Sequence, residues 1–202
     1  MSMSIQKKTE IEEILKTSLR DKFARYQPET VSMPFHTRLL GKDRLALYSF
    51  IHSLNTNFGI AIFEPVAQVL AQERFPSVNT QCVVGTQISL DAQDVIQTII
   101  DALTTASAQP NKSNEIARIK HVCQSGEMRQ VKLTRVDLKV ETATGEIFLF
   151  DIKTAKPNAG NFKEFKRTLL EWAAATLAQN PEANVHSLIA IPYNPYEPEP
   201  YA

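Results

Sequence analysis

Between Arg135 and Trp172 the chain reads RVDLKVETATGEIFLFDIKTAKPNAGNFKEFKRTLLEW, and no other stretch limits its fold as tightly. Val136, Leu138 and Val140 alternate with polar residues, the period of a strand. Ile147, Phe148, Leu149 and Phe150 run on without a break, the mark of a strand covered on both faces. Thr144-Gly145 between them supplies a turn. Pairing the two runs as a hairpin brings Asp137, which opens the first, to the same end of a sheet as Asp151 and Lys153, which close the second. Asp151 and Lys153 are two apart on a strand and point to one face, while Ile152 points to the other.

The residues after the hairpin complete the sheet. Pro157 to Gly160 reads as a loop and Asn161 as the cap of a helix through Phe165, Leu169, Leu170, Trp172, Ala173 and Leu177, stopped by Asn180-Pro181. Val185, Leu188, Ile189 and Ile191 predict a last strand. Strand, strand, helix and strand in that order imply a mixed sheet with a crossover helix, normally right-handed.

The part before it reads as mostly helical. Ile11, Ile14, Leu15, Leu19 and Phe23 recur at three- and four-residue intervals, which predicts a helix over about 5–25. Pro28 and Pro34 bracket a loop. Leu45 to Leu54 predicts a second helix, ended by Asn55-Thr56-Asn57. About 58–75 predicts a third, apolar on more than one side and therefore buried, ended by Pro76. Gln81 to Ile88 reads as one short strand, Asp91 as the N-cap of a helix through Leu103, and Glu115 to Gln124 as a further helix. Val131 and Leu133 read as strand. The expectation is an α/β chain forming one domain over 1–202, with a helical part over about 1–125 and a sheet core over about 126–202.

Composition narrows the function. Two isolated cysteines, Cys82 and Cys123, with no CxxC or Cys/His pair, offer no zinc site and read as thiols in a reducing cytosol. His36, His52, His121 and His186 are scattered without metal-ligand spacing. No stretch has the length of a signal peptide or a membrane span, so a soluble, cytoplasmic protein is expected. Net charge is zero, yet Lys112 to Arg167 carries twelve Lys and Arg against seven Asp and Glu. A basic region holding Asp137, Asp151 and Lys153 suits contact with a phosphate backbone.

Two facing carboxylates are oxygen ligands for Mg²⁺, and such an ion polarises a phosphoryl oxygen and lowers the pKa of a bound water. Lys153 beside them would orient that water or stabilise charge building on the phosphate. The plainer alternative is an ordinary hairpin with solvated polar ends.

These positions resemble the PD-(D/E)xK nuclease superfamily, whose sheet carries an Asp on one strand and (Asp/Glu)-x-Lys on the next, matching Asp137, Asp151 and Lys153; the usual proline is replaced by Val136. The longer run DIKTAKPNAGNFKEFKRTLLEW, with IFEPVAQVLA at Ile62–Ala71 and IAIPYNPYEPEPY at Ile189–Tyr201, is similar to the TdeIII-like type II restriction endonucleases. The resemblance implies a restriction-endonuclease-like fold with flanking helices. It also implies Mg²⁺-dependent double-strand cleavage of DNA at a short palindrome of GGNCC type, by a homodimer beside a cognate DNA methyltransferase. It implies an acidic metal ligand from an earlier helix, for which Glu64 is the choice and Glu73 the fallback. Lys156, Asn158, Asn161, Lys163, Lys166 and Arg167, at the start of a helix just after the metal strand, form a phosphate seat and are the expected DNA contacts. Trp172 belongs to the core. Proteins similar to this one continue further, so a truncated or divergent copy is expected. The rivals are a catalytically inactive DNA-binding module of the same fold and a nuclease of DNA repair or of mobile elements.

Overall fold

Ser4 starts the first helix, its hydroxyl accepting the Lys7 N–H at 3.3 Å, and α1 runs Ile5–Arg25. The computed structural model describes residues 3–28, 34–154, 159–194 and 197–199. Helix α2 spans Pro34–Leu40. It begins on a proline expected to bound a loop, because a first-turn residue needs no N–H donor and fits the fixed φ of proline. Helix α3, Lys42–Phe58, runs through Asn55-Thr56-Asn57, the residues expected to end it. Thr56 tolerates the helix by donating its hydroxyl to the His52 carbonyl at 3.2 Å. A π turn, Gly59–Phe63, leads directly into α4, Glu64–Gln72, so the second and third predicted helices are continuous. Ile62, Val69 and Ala71 are buried, but Ile60 and Leu70 are exposed, so this segment is not covered all round as its composition suggested.

The chain divides into two compact units between Glu73 and Arg74. The second contains every strand among the described residues: β1 Ser77–Cys82, β2 Gln87–Ser89, β3 Met128–Gln130, β4 Val136–Glu141, β5 Glu146–Ile152 and β6 Asn184–Ala190. Helices α5 Leu90–Thr104, α6 Lys112–Val122 and α7 Phe162–Gln179 flank them. The single strand expected over Gln81 to Ile88 is two strands. Between them Gly85 passes α7 so closely that a Cβ there would lie 2.9 Å from the Ala175 Cβ. Ser89, rather than Asp91, caps α5, its hydroxyl accepting the Ala92 N–H at 3.2 Å. Val131 and Leu133 lie outside strands, between β3 and β4.

The larger sheet has the order β1-β4-β5-β6, with β5 and β6 parallel and the other pairs antiparallel. The hairpin pairs Leu138 with Phe150 and Val140 with Phe148. Its turn is closed by the Gly145 N–H donating to the Thr142 carbonyl at 3.0 Å, with Gly145 at φ +83°, a conformation open to glycine without strain. Helix α7 crosses from β5 to β6. Its Leu169 to Leu177 stretch is buried almost throughout, and packs with Ile88, Ala92, Ile96, Ile100, Leu149 and Val185. Trp172, 1% exposed, satisfies its one polar atom by donating Nε1–H to the Thr134 carbonyl at 3.0 Å. The architecture is the restriction-endonuclease-like α/β arrangement expected, a mixed sheet with flanking helices, preceded in sequence by a helical first part. Among the described residues no helix is long and apolar enough to cross a membrane.

Candidate active site

Extending the hairpin register by one pair beyond Leu138 and Phe150 sets Asp137 opposite Asp151. The Asp137 carboxylate is gripped at both oxygens: Oδ2 accepts the Ile152 backbone N–H at 2.7 Å, and Oδ1 accepts the Gln81 Nε2–H at 3.2 Å. The Asp151 carboxylate lies near enough for its charge to act on Asp137. Asp151 is 6% exposed, and its Oδ1 lies 2.7 Å from the Lys153 Nζ. The same ammonium sits over the Phe165 ring of α7, 4.3 Å from its centroid. The Lys153 N–H donates to the Ala190 carbonyl at 2.9 Å, tying the end of β5 to β6. Asp137, Asp151 and Lys153 therefore converge as the two-residue strand period requires.

Burial raises the Asp137 carboxyl above its ordinary value, opposed by the Ile152 N–H; the nearby Asp151 charge raises it further and Lys153 lowers it. A carboxylate in this position is held at a cost that a cation between the two acids would relieve. Each Asp137 oxygen has one donor, and a carboxylate has about four lone-pair sites in all, so both oxygens can still accept a ligand. The donor set is all oxygen, which suits a hard divalent cation. Among the described residues no group of three or more His, Cys, Asp or Glu side chains gathers to hold a metal. That is no obstacle for Mg²⁺, which keeps several waters and commonly binds through one or two carboxylates and substrate phosphates.

The remaining predicted residues fall in several places. Glu64 opens α4 in the helical unit and is 6% exposed, whereas Glu73, at the C-terminal end of that helix, is exposed. Asn161 takes the N-cap position of α7 but makes no side-chain cap bond; it and Lys163 are exposed. Lys166 is ion-paired with the buried Glu115 of α6. Arg167 donates to the Gln97 Oε1 of α5 at 2.6 Å and lies 4.0 Å from Glu171. The first turn of α7 thus presents its polar groups outward, while the second ties the helix to its neighbours. Lys156 and Asn158 lie outside the described residues. Beside Lys166, Lys112 donates to the Ser187 Oγ at 2.7 Å and is pushed down to about 8, first by burial and then by the Lys166 charge, against the pull of Glu115.

Sequence reasoning missed three groups here. Gln81 lies 56 residues from Asp137, in a segment with no motif to mark it. Phe165 read only as a core position, although the ring is where Lys153 rests. The Ile152 N–H is backbone and leaves no mark on sequence at all.

A family model described as "Type II restriction endonuclease, HinfI" matches residues 3–202. Among curated proteins, the chain is similar to the type II restriction enzyme HgiCII of Herpetosiphon aurantiacus, 26% identical over 165 residues, which cover 81% of this chain and 59% of that enzyme. It is similar to the type II restriction enzyme MjaII of Methanocaldococcus jannaschii, 24% identical over 216 residues, covering 98% of this chain and 56% of that one. HgiEI of Herpetosiphon aurantiacus is 27% identical over 167 residues, covering 81% and 59%. The chain spans less than three fifths of the length of these curated relatives. No solved structure gives a significant match.

Proposed function

The chain belongs to the HinfI family of type II restriction endonucleases, and from that premise we propose that it hydrolyses DNA phosphodiester bonds with Mg²⁺ held by Asp137 and Asp151. The observation that supports this reading most is the convergence of those two carboxylates with Lys153 at one end of the sheet. When bound, the cation supplies a Lewis acid for the attacked phosphoryl group and a more acidic water. Asp137 and Asp151 hold it, with Asp137 oriented from both sides by Ile152 and Gln81. Lys153, steered by Asp151 and the Phe165 ring, offers N–H donors to the water or to the phosphate oxygens as negative charge builds. Glu64, the further acidic ligand expected from the resemblance, belongs to the helical unit, and the reading rests on Asp137 and Asp151 alone.

The substrate in this reading is double-stranded DNA, cut on both strands at a short palindrome of GGNCC type. A two-fold target calls for a homodimer with one site per strand. Asn161 and Lys163, at the solvent-facing start of α7, are the proposed phosphate contacts, together with Lys156 and Asn158; Lys166 and Arg167 would reach DNA only by giving up their present partners. Both units serve one nuclease domain, which works in the cytoplasm beside a DNA methyltransferase that protects the host's own sites.

Plasmid cleavage with Mg²⁺, with and without EDTA and alongside Asp151→Ala, tests the reading. Discrete fragments that disappear with EDTA and with the substitution are expected, and sequencing their ends yields the target. An intact plasmid, from folded protein that still retards DNA in a gel, would overturn catalysis and leave a DNA-binding module of the same fold.

A further inference from the structure

Strand β1 leaves the extended conformation at one residue, Gln81, whose φ is +49°. Its neighbours Thr80 and Cys82 pair with Leu138 and Val136, so the residue facing Gln81 across the ladder is Asp137. Left-handed backbone is unfavourable for any side chain with a Cβ, and glycine would adopt it freely. Here the position holds a glutamine, half-buried, and the departure from the strand occurs at the residue whose amide donates to the Asp137 Oδ1 at 3.2 Å. An amide rather than a cation is also chemically apt. It orients a carboxylate by a neutral hydrogen bond and leaves the full negative charge for a metal, whereas Lys or Arg there would cancel it.

We propose that Gln81 is a positioning residue for cation binding, fixing Asp137 Oδ1 while the Ile152 N–H fixes Oδ2, so that the carboxylate meets the ion already oriented. The inference rests on reading Asp137 as a cation ligand. Without the amide, Asp137 keeps one tether and can rotate about its side-chain bonds, and part of the binding free energy goes into ordering it. Partners of metal ligands commonly influence affinity by about 10–100-fold.

The test is Mn²⁺ binding by calorimetry on the full chain without DNA, for the wild type, Gln81→Gly, Gln81→Met and Asp137→Ala, with thermal unfolding in EDTA beside it. Gln81→Gly removes the amide and accepts φ +49° without strain, so it should melt at or above the wild-type temperature. Gln81→Met keeps an unbranched side chain of similar length and loses only the polar end. Both should bind Mn²⁺ about tenfold or more weakly. Wild-type affinity in either folded variant overturns the proposal, since a purely structural glutamine would move melting and leave binding alone. If Asp137→Ala binds Mn²⁺ as the wild type does, the reading of Asp137 itself fails, and the role of Gln81 falls with it for that separate reason.

Discussion

Among the described residues the helical unit buries four apolar side chains, Leu45, Ile62, Val69 and Ala71, against twenty-two in the sheet unit. Helix α1 buries none of its residues. What joins α1 to α3 is a set of partly exposed ties: Tyr26 Oη to Ser49 Oγ at 2.7 Å, Asn57 Nδ2 to Ser18 Oγ at 3.2 Å, and Phe50 against Phe23 and Tyr26 at 5.3 and 5.0 Å. In the sheet unit α5, α6 and α7 close over Leu149 and Val185 to form a continuous core. A hydrogen bond adds about 0.5–1.5 kcal/mol net, and a fully buried Leu or Ile about 1.5–3. The candidate active site is therefore mounted on the unit that resists deformation. Helical periodicity alone, legible in α1, says nothing about how much a helix is worth to the fold.

The sharpest break of this contrast comes from paired truncations. Trp172→Ala should cost about 3–5 kcal/mol in urea unfolding. Phe23→Ala, at a ring that is 62% exposed, should cost about 1 kcal/mol or less. Equal losses would show that the helical unit has more cohesion than its burial indicates. Native-state hydrogen exchange should obey the same division, with α1 and α3 amides exchanging at least about tenfold faster than those of α7 and β5; a uniform pattern would merge the two units into one cooperative block.

A third measurement separates the site from its scaffold. The folded Asp137 carboxyl lies above its unfolded value, so the stability it contributes is present at acid pH and is lost as pH rises through the folded value. Mg²⁺ should replace that loss, raising the melting temperature more at pH 8 than at pH 5. Asp137→Asn should abolish the Mg²⁺ shift and lower cleavage by about 10³-fold, with melting in EDTA unchanged or higher. A metal shift that survives the substitution would remove Asp137 from the site.

The smallest effect belongs to Lys112. Its folded value of about 8, below the ordinary 10.5, means the folded state binds fewer protons than the unfolded chain between those limits. Stability should therefore rise from pH 8 towards 10.5, and Lys112→Met should flatten that rise in urea midpoints. An unaltered slope would assign the rise to another group.

The site was legible where local rules decide geometry. Strand period and a tight turn set the register, and the register sets Asp137 against Asp151 with no information from the rest of the chain. The start and end of α1 were equally plain. What escaped depends on distant packing. Ser89 and Asp91 are both able to cap α5, and the choice of Ser89 accompanies its second bond, donated to the Val122 carbonyl at 2.7 Å. The break between β1 and β2 answers to Ala175 on α7, which Gly85 passes closely. Asn55 to Asn57 are weak helix formers, yet α3 continues through them into a π turn, which a propensity scale does not anticipate.

Helix α7 divides into two stretches under different constraint. From Leu169 to Leu177 its side chains are mostly buried, and a change of volume there disturbs the whole sheet unit. From Phe162 to Glu164 they are exposed, whereas Lys166 neutralises the buried Glu115 and is held to that role. Substitutions can accumulate at those three exposed positions at little cost to folding. What that end of the helix touches can therefore change without disturbing the sheet beneath it.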